Sequence, residues 1–407
     1  MTTLRRLLAS TAFACRTAVP VAAALGAVAC GGKSKPSVEE PDPDQAKTTD
    51  ADELAAARKA ASAGDVDGAD THYRAAAKRN LQLATVREHV QFLLAHDRAR
   101  QAVEVAKGYY EAKPADSNGS LVYANALIGA GEYAQAADIA GEVVELDAKN
   151  PAGWAARGRA AVGAGRADEG VEDLRHAVEL APKDGQVVRA YGIALETAGK
   201  VDEAALQLRA AIELLGEDAE ALMHMGIVRM AQVANSEAIG WLNRATKADP
   251  NLAEAWFNLA IAQNDMGDNF EAEVSAQKAS SLAPDISKYS YVWGEMLRIN
   301  KKPEAARDAY AKALDAKPPH PKAAVKMATM MAEAGQYADA EVFLTDIINK
   351  DPGNTPLYFS LGMVYSAQKK YRLAVEALEH FVDKAQANDP DRGRALAEIK
   401  AAKRKIR

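Results

Sequence analysis

The sequence predicts an all-α fold, a solenoid of about ten helix–turn–helix units, and three observations carry that reading. Small residues recur every 34 positions, at Ala102, Ala136, Gly170, Ala204, Ala238, Ala272, Ala306, Ala340 and Ala374. Pro114, Pro182, Pro250, Pro284, Pro318 and Pro352 fall in one column of the same register, although the chain has only 16 prolines in 407 residues. Aromatics make up 6% of the chain while 48% is apolar, much of it Ala. That balance favours helices packed closely on small side chains over sheets built on β-branched and aromatic residues.

The first element is residues 1–29. Arg5, Arg6 and Arg16 precede an apolar run from Thr17 to Ala29 that ends in small residues. This is the layout of an export signal. Ala27-Val28-Ala29-Cys30 resembles the lipobox of bacterial lipoproteins, with Ala27 where the family prefers Leu. The resemblance implies cleavage before Cys30 and acylation of its thiol. It also implies an outer-membrane destination, because Gly31 and not Asp follows the cysteine. The second cysteine, Cys15, would leave with the leader, so none would remain for a disulfide, a zinc site or a thiol nucleophile.

Residues 30–49 follow. Three prolines, mixed charge and a single aliphatic residue, Val38, cannot bury enough surface to order the segment, so it reads as a flexible tether. Loss of the three leader arginines leaves 47 basic residues against 56 acidic ones. A surface that acidic disfavours general binding to nucleic acid or anionic lipid.

Residues 50–388 hold ten units: 50–82, slipped by one residue, then nine of 34 from 83 to 388. The stretch 151–184, PAGWAARGRAAVGAGRADEGVEDLRHAVELAPKD, shows the anatomy. Two short helices flank a turn at Gly165-Arg166, and Pro182 closes the unit. Gly158, Ala161, Gly170 and Ala177 stand where a core helix would carry Leu or Ile, which lets the two helices approach closely. Gly131, Gly165, Gly199, Gly267 and Gly335 fall at the turns, where positive φ is needed. No unit has a core of its own, so each leans on its neighbours.

Trp154, Gly158, Leu174, Ala177 and Pro182 resemble the tetratricopeptide repeat, as do Ala255-Trp256-Phe257-Asn258-Leu259-Ala260 with Gly267, Ala272 and Pro284. The resemblance implies a right-handed superhelix whose inner surface, lined by first helices, binds protein partners. It is specific for fold and nearly silent on function. The last element, residues 389–407, reads as a capping helix started at Asp389-Pro390. Leu396, Ile399, Ala402 and Ile406 would cover the last unit, and Lys400, Lys403, Arg404, Lys405 and Arg407 form a basic tail.

Catalytic constellations are missing from the sequence. The seven histidines form no HxH or HExxH pattern, and there is no GxSxG or GxxxxGK[ST]. We therefore expect no catalytic residue, no metal, no cofactor and no small-molecule substrate.

Periodicity places a binding surface on the first helices. Its first part is polar, with Arg87, Gln91, Asn118, Asn125, Arg159 and Arg189. Its middle is apolar, with Met223, Ile227, Met230, Phe257, Ile261 and Tyr291 among His224, Asn258 and Asn264. Glu295 and Arg298 restore charge, and Phe359 with Met363 makes a second apolar spot. Exposed, these residues would form a groove for an extended peptide or an amphipathic helix; the alternative, packing against the adjacent unit, stands open at this point. The expectation is a lipid-anchored, non-enzymatic scaffold facing the periplasm. It would bind a protein partner during assembly of an envelope complex such as a pilus or secretion machine. A second expectation is an accessory subunit of an exopolysaccharide complex, with the chemistry in another chain.

Overall fold

The structure is a computed structural model that describes residues 49–406. Among them are 21 helices and no strand. The chain divides into two compact units at Gly216 and Glu217.

The first unit holds α1 (Asp50–Ser62), α2 (Val66–Arg79), α3 (Leu83–Ala95), α4 (Ala99–Ala112), α5 (Ser117–Ala130), α6 (Tyr133–Leu146), α7 (Pro151–Gly163), α8 (Ala167–Leu180), α9 (Gly185–Thr197) and α10 (Val201–Leu215). The second holds α11 (Ala219–Ala231), α12 (Asn235–Ala248), α13 (Ala253–Met266), α14 (Asn269–Leu282), α15 (Ser287–Ile299), α16 (Pro303–Asp315), α17 (Ala323–Glu333), α18 (Tyr337–Lys350), α19 (Thr355–Ala367), α20 (Tyr371–Lys384) and α21 (Arg392–Ile406). Odd-numbered helices up to α19 open a hairpin and even-numbered ones close it. Within each unit every helix packs on the next, and several first helices also touch the following first helix, as α5 does α7 and α11 does α13.

Local sequence explains the starts and stops. Asp116, Asn150, Asp184 and Asp218, spaced by 34, are N-caps of α5, α7, α9 and α11, and each side chain accepts from backbone N–H groups of the first turn. Trp154 and Trp256 donate their indole N–H to the carbonyls of Ala148 and Pro250, at 2.9 and 3.0 Å, six residues back. Tyr358, in the same column, reaches the Pro352 carbonyl. These aromatics tie each first helix to the linker that precedes it.

The small residues act across the hairpin. A Cβ on Gly158 would lie 2.8 Å from Leu174 Cγ, and one on Gly226 would lie 2.5 Å from Leu242 Cγ. Both distances are below van der Waals contact, so glycine is what allows the leucine to fill the gap. The turn between the two helices imposes a left-handed residue every 34 positions: Asp97, Gly131, Gly165, Gly199, Val233, Gly267, Lys301, Gly335 and Lys369 all have positive φ. All five turn glycines expected from the sequence are in this set.

At α21 the structure departs from expectation. The helix begins at Arg392, three residues beyond Asp389, and buries Ala395, Ile399 and Ala402. Leu396 and Ile406 are 50% and 38% exposed, because residue 396 lies on the flank of the helix and 406 is its last residue. The leader, Cys30 and almost all of the tether lie outside the described residues.

Candidate partner-binding surface

Arg159 on α7 donates to Asn125 Oδ1 on α5 at 3.0 Å. These residues are 34 apart, so one column of the register becomes a row of neighbouring side chains in space. Arg159 is exposed and Arg189 on α9 half-buried. In the second unit His224 and Asn258 share another column, and both are half-buried, as are Ile227 and Met230. Asn258 donates to the Glu254 carbonyl one turn back.

The apolar floor is closed. Met223, Phe257, Ile261 and Tyr291 are 2%, 6%, 3% and 7% exposed, so these four do not line an open groove. Phe257 lies 4.9 Å from the ring of Tyr289, and Lys288 sits over its face. Tyr291 is stacked under His320 at 3.9 Å, from the linker between α16 and α17. Phe359 is half-buried, 5.2 Å from Phe381, with the Arg394 guanidinium over its ring. The α11–α15 residues are packing elements that leave His224, Ile227, Met230, Asn258 and Arg298 as the accessible part of the row.

Glu295, expected to be a surface charge, is only 4% exposed. It accepts from the Tyr310 hydroxyl and pairs with Lys326 at 3.3 Å and Arg298 at 3.4 Å. Burial alone would raise its pKa. The Tyr310 hydrogen bond and the charges of Lys326 and Arg298 outweigh burial and hold the carboxyl below its usual value. Burial pushes the Tyr310 hydroxyl up, as does the adjacent carboxylate. Burial also lowers the His320 imidazole to about 4, with Lys322 acting in the same direction. The result is a neutral aromatic wall behind one fixed negative charge.

Sequence reasoning missed Tyr310, His320 and Lys326. A signal existed for the first: Tyr310 occupies the column that holds Leu174, Leu208 and Leu242, while Glu295 occupies that of Ile227 and Ile261. A hydroxyl and a carboxylate replacing two aliphatic residues of one repeat are matched substitutions.

Three other histidines pack. His89 is 1% exposed, bonded to Asp70 at 2.7 Å and stacked on Tyr73. His176 and His380 lie against Trp154 and Tyr358. Among the described residues no group of three His, Cys, Asp or Glu could hold a metal, and no helix is long and apolar enough to cross a membrane.

Comparison with known proteins places this geometry. Two family models, each described as tetratricopeptide repeat, match residues 155–219 and 192–253 in one case, 297–362 and 331–399 in the other. Human tetratricopeptide repeat protein 7B is 28% identical over 125 residues, 31% of this chain. The chain spans only 15% of that relative's length. Among solved structures, the human IFIT1 dimer with m7Gppp-AAAA has a TM-score of 0.57 at 13% identity, covering 88% of this chain and 91% of that one. A tetratricopeptide repeat protein from Parabacteroides merdae has a TM-score of 0.48 at 12% identity, covering 61% and 98%.

Proposed function

The chain belongs to the tetratricopeptide repeat proteins, and from that premise we propose that it is a membrane-tethered adaptor. It holds a protein partner on the face lined by its first helices. The observation that carries this reading is the Arg159–Asn125 contact. Side chains 34 residues apart stand side by side, so first-helix columns present rows that an extended peptide or a helix can follow. In the second unit the row offers Ile227, Met230, His224 and Asn258, two apolar and two polar side chains, all partly accessible.

Acylation of Cys30 supplies the tether in this reading, and the tether sets the adaptor in the cell envelope, in assembly of a pilus or secretion machine. A single acyl chain gives marginal binding, so durable attachment needs more than one. The m7Gppp-AAAA bound by IFIT1 belongs to that protein; here a formal net charge of −6 favours a protein partner over a polyanion.

The test is capture from detergent-solubilised envelope with the wild type and with Ile227→Lys/Met230→Lys. Recovery of secretin or pilus-assembly subunits by the wild type, lost in the double variant with circular dichroism unchanged, supports the adaptor. Recovery of polysaccharide-polymerase subunits moves the assignment to an exopolysaccharide complex. Equal recovery by both proteins overturns the role given to this row.

A further inference from the structure

We propose that α21 docks on an anionic lipid surface through its outer face. Residues 392–407 hold seven Lys and Arg against one acid, Glu398, a net charge of +6 in a chain of −6. The rest of the sequence therefore sums to −12, so the positive charge is concentrated in one element.

The structure sorts these residues by face. Successive residues of a helix turn by about 100°. Ala395, Ile399 and Ala402 face α19 and α20 and are buried. The opposite half carries Lys400 and Arg404, with Leu396 and Lys403 on the flank beside them. Glu398 lies off that half, accepts from the Ser366 hydroxyl on α19, and leaves no acid on the outer face. Lys403 pairs with Glu379 at 2.6 Å, but both side chains are about half exposed, at 55% and 47%, so the pair is weak and exchangeable. Lys405 rests on the Tyr371 ring at 4.9 Å.

Charge complementarity selects an anionic occupant, and the apolar residue selects among anions. Leu396 is half exposed on the flank that borders the cations. A lipid interface rewards an apolar side chain beside cations, whereas a phosphodiester backbone does not. No aromatic lies among the outermost residues to stack on a base, as single-strand binders require. A cationic helix lying flat on headgroups is the arrangement that uses both features. It is independent of acylation at Cys30 and of the row at Ile227 and Met230.

The experiment is co-sedimentation of the full chain with vesicles of phosphatidylglycerol and phosphatidylcholine in equal parts, and with phosphatidylcholine alone. The quantity read is the increment in binding due to phosphatidylglycerol. Each cation near such a surface contributes about 1 kcal/mol, so Lys400→Gln/Arg404→Gln should reduce that increment roughly 30-fold. Molar salt should abolish it in the wild type. Both substituted residues are exposed and outside the core, so the thermal transition serves as the control for folding. Equal increments in wild type and variant overturn the proposal, as does the absence of any increment. Capture of a single-stranded oligonucleotide through the same two residues, without vesicle binding, overturns it in favour of nucleic acid.

Discussion

The Tyr310 hydroxyl donates to the carboxylate of Glu295, 15 residues earlier on the partner helix of the same hairpin. Tyr310 is fully buried, and the Glu295 side chain is 5% exposed. A buried carboxylate that loses a donor retains its desolvation penalty. Tyr310→Phe should therefore destabilise the protein by about 1–3 kcal/mol at neutral pH in urea unfolding. Because the folded pKa of Glu295 lies below the ordinary 4.5, its stabilisation is complete above that value and is lost as pH falls through the lower folded value. The gap between wild type and variant should hold from neutral pH to about 4.5 and close below it. A gap that does not change with pH would deny the carboxylate its part.

His320 gives a second pH dependence with the sign worked from the proton balance. Its folded pKa is lowered from 6.5 to about 4, so between those values the unfolded chain binds the proton and the folded chain does not. Stability should fall as pH drops from 6.5 to 4. His89 is shifted in the same direction, chiefly by burial, and adds to the slope. His320→Gln should flatten the fall in melting temperature without abolishing it. An unchanged slope would remove His320 from the balance.

Val233 is a β-branched residue at φ 64°, in the turn column where five other repeats use glycine. A left-handed conformation costs an L-residue roughly 1–2 kcal/mol, more than the entropy glycine forfeits on folding. Its side chain is 64% exposed and contributes little packing. Val233→Gly should raise stability by about 1 kcal/mol. The reverse exchange, Gly267→Val at φ 90°, should lower it by at least as much. Urea midpoints moving in the same direction for both would contradict the strain argument.

Gly226 and Leu242 test the close approach of the hairpins. The three atoms nearest to a Cβ at Gly226 all belong to Leu242, at 2.5, 2.9 and 3.3 Å, and Leu242 is fully buried. Gly226→Ala should cost about 1–3 kcal/mol by overpacking, despite the better helix propensity of Ala. Leu242→Ala should cost about 2–5 kcal/mol. The double variant should be less destabilised than the sum, with a coupling on the order of 1 kcal/mol. Additive losses would place the strain elsewhere.

The repeat was legible because it is written in backbone constraints. Left-handed glycines at 131, 165 and 199 and the Gly158–Leu174 approach follow from spacing and residue size alone. Four members of the turn column, among them Asp97 and Val233, could be found only by counting, since their side chains do not demand the conformation they adopt. Depth was not legible. Periodicity names the side of a helix a residue occupies, but Phe257 is buried by Tyr289 and Lys288 of the following first helix, and Tyr291 by a linker histidine. Those covers come from neighbouring units, which a single-helix pattern does not contain.

That distinction yields the last prediction. Met223 and Phe257 are 2% and 6% exposed, so Met223→Lys with Phe257→Lys places two ammonium groups in a packed interior. Loss of the apolar burial and the cost of the charges add, and together the two changes are on the order of the roughly 5–15 kcal/mol by which domains are stable. The double variant should lose helical circular dichroism or fail to accumulate as folded protein. Ile227→Lys with Met230→Lys, on the same helix but half-buried, lets each long side chain reach water with its stem still packed. It should keep its helix content and a melting temperature within a few degrees of the wild type. Retention of fold by the first pair, or collapse of the second, would exchange the two sets between core and surface.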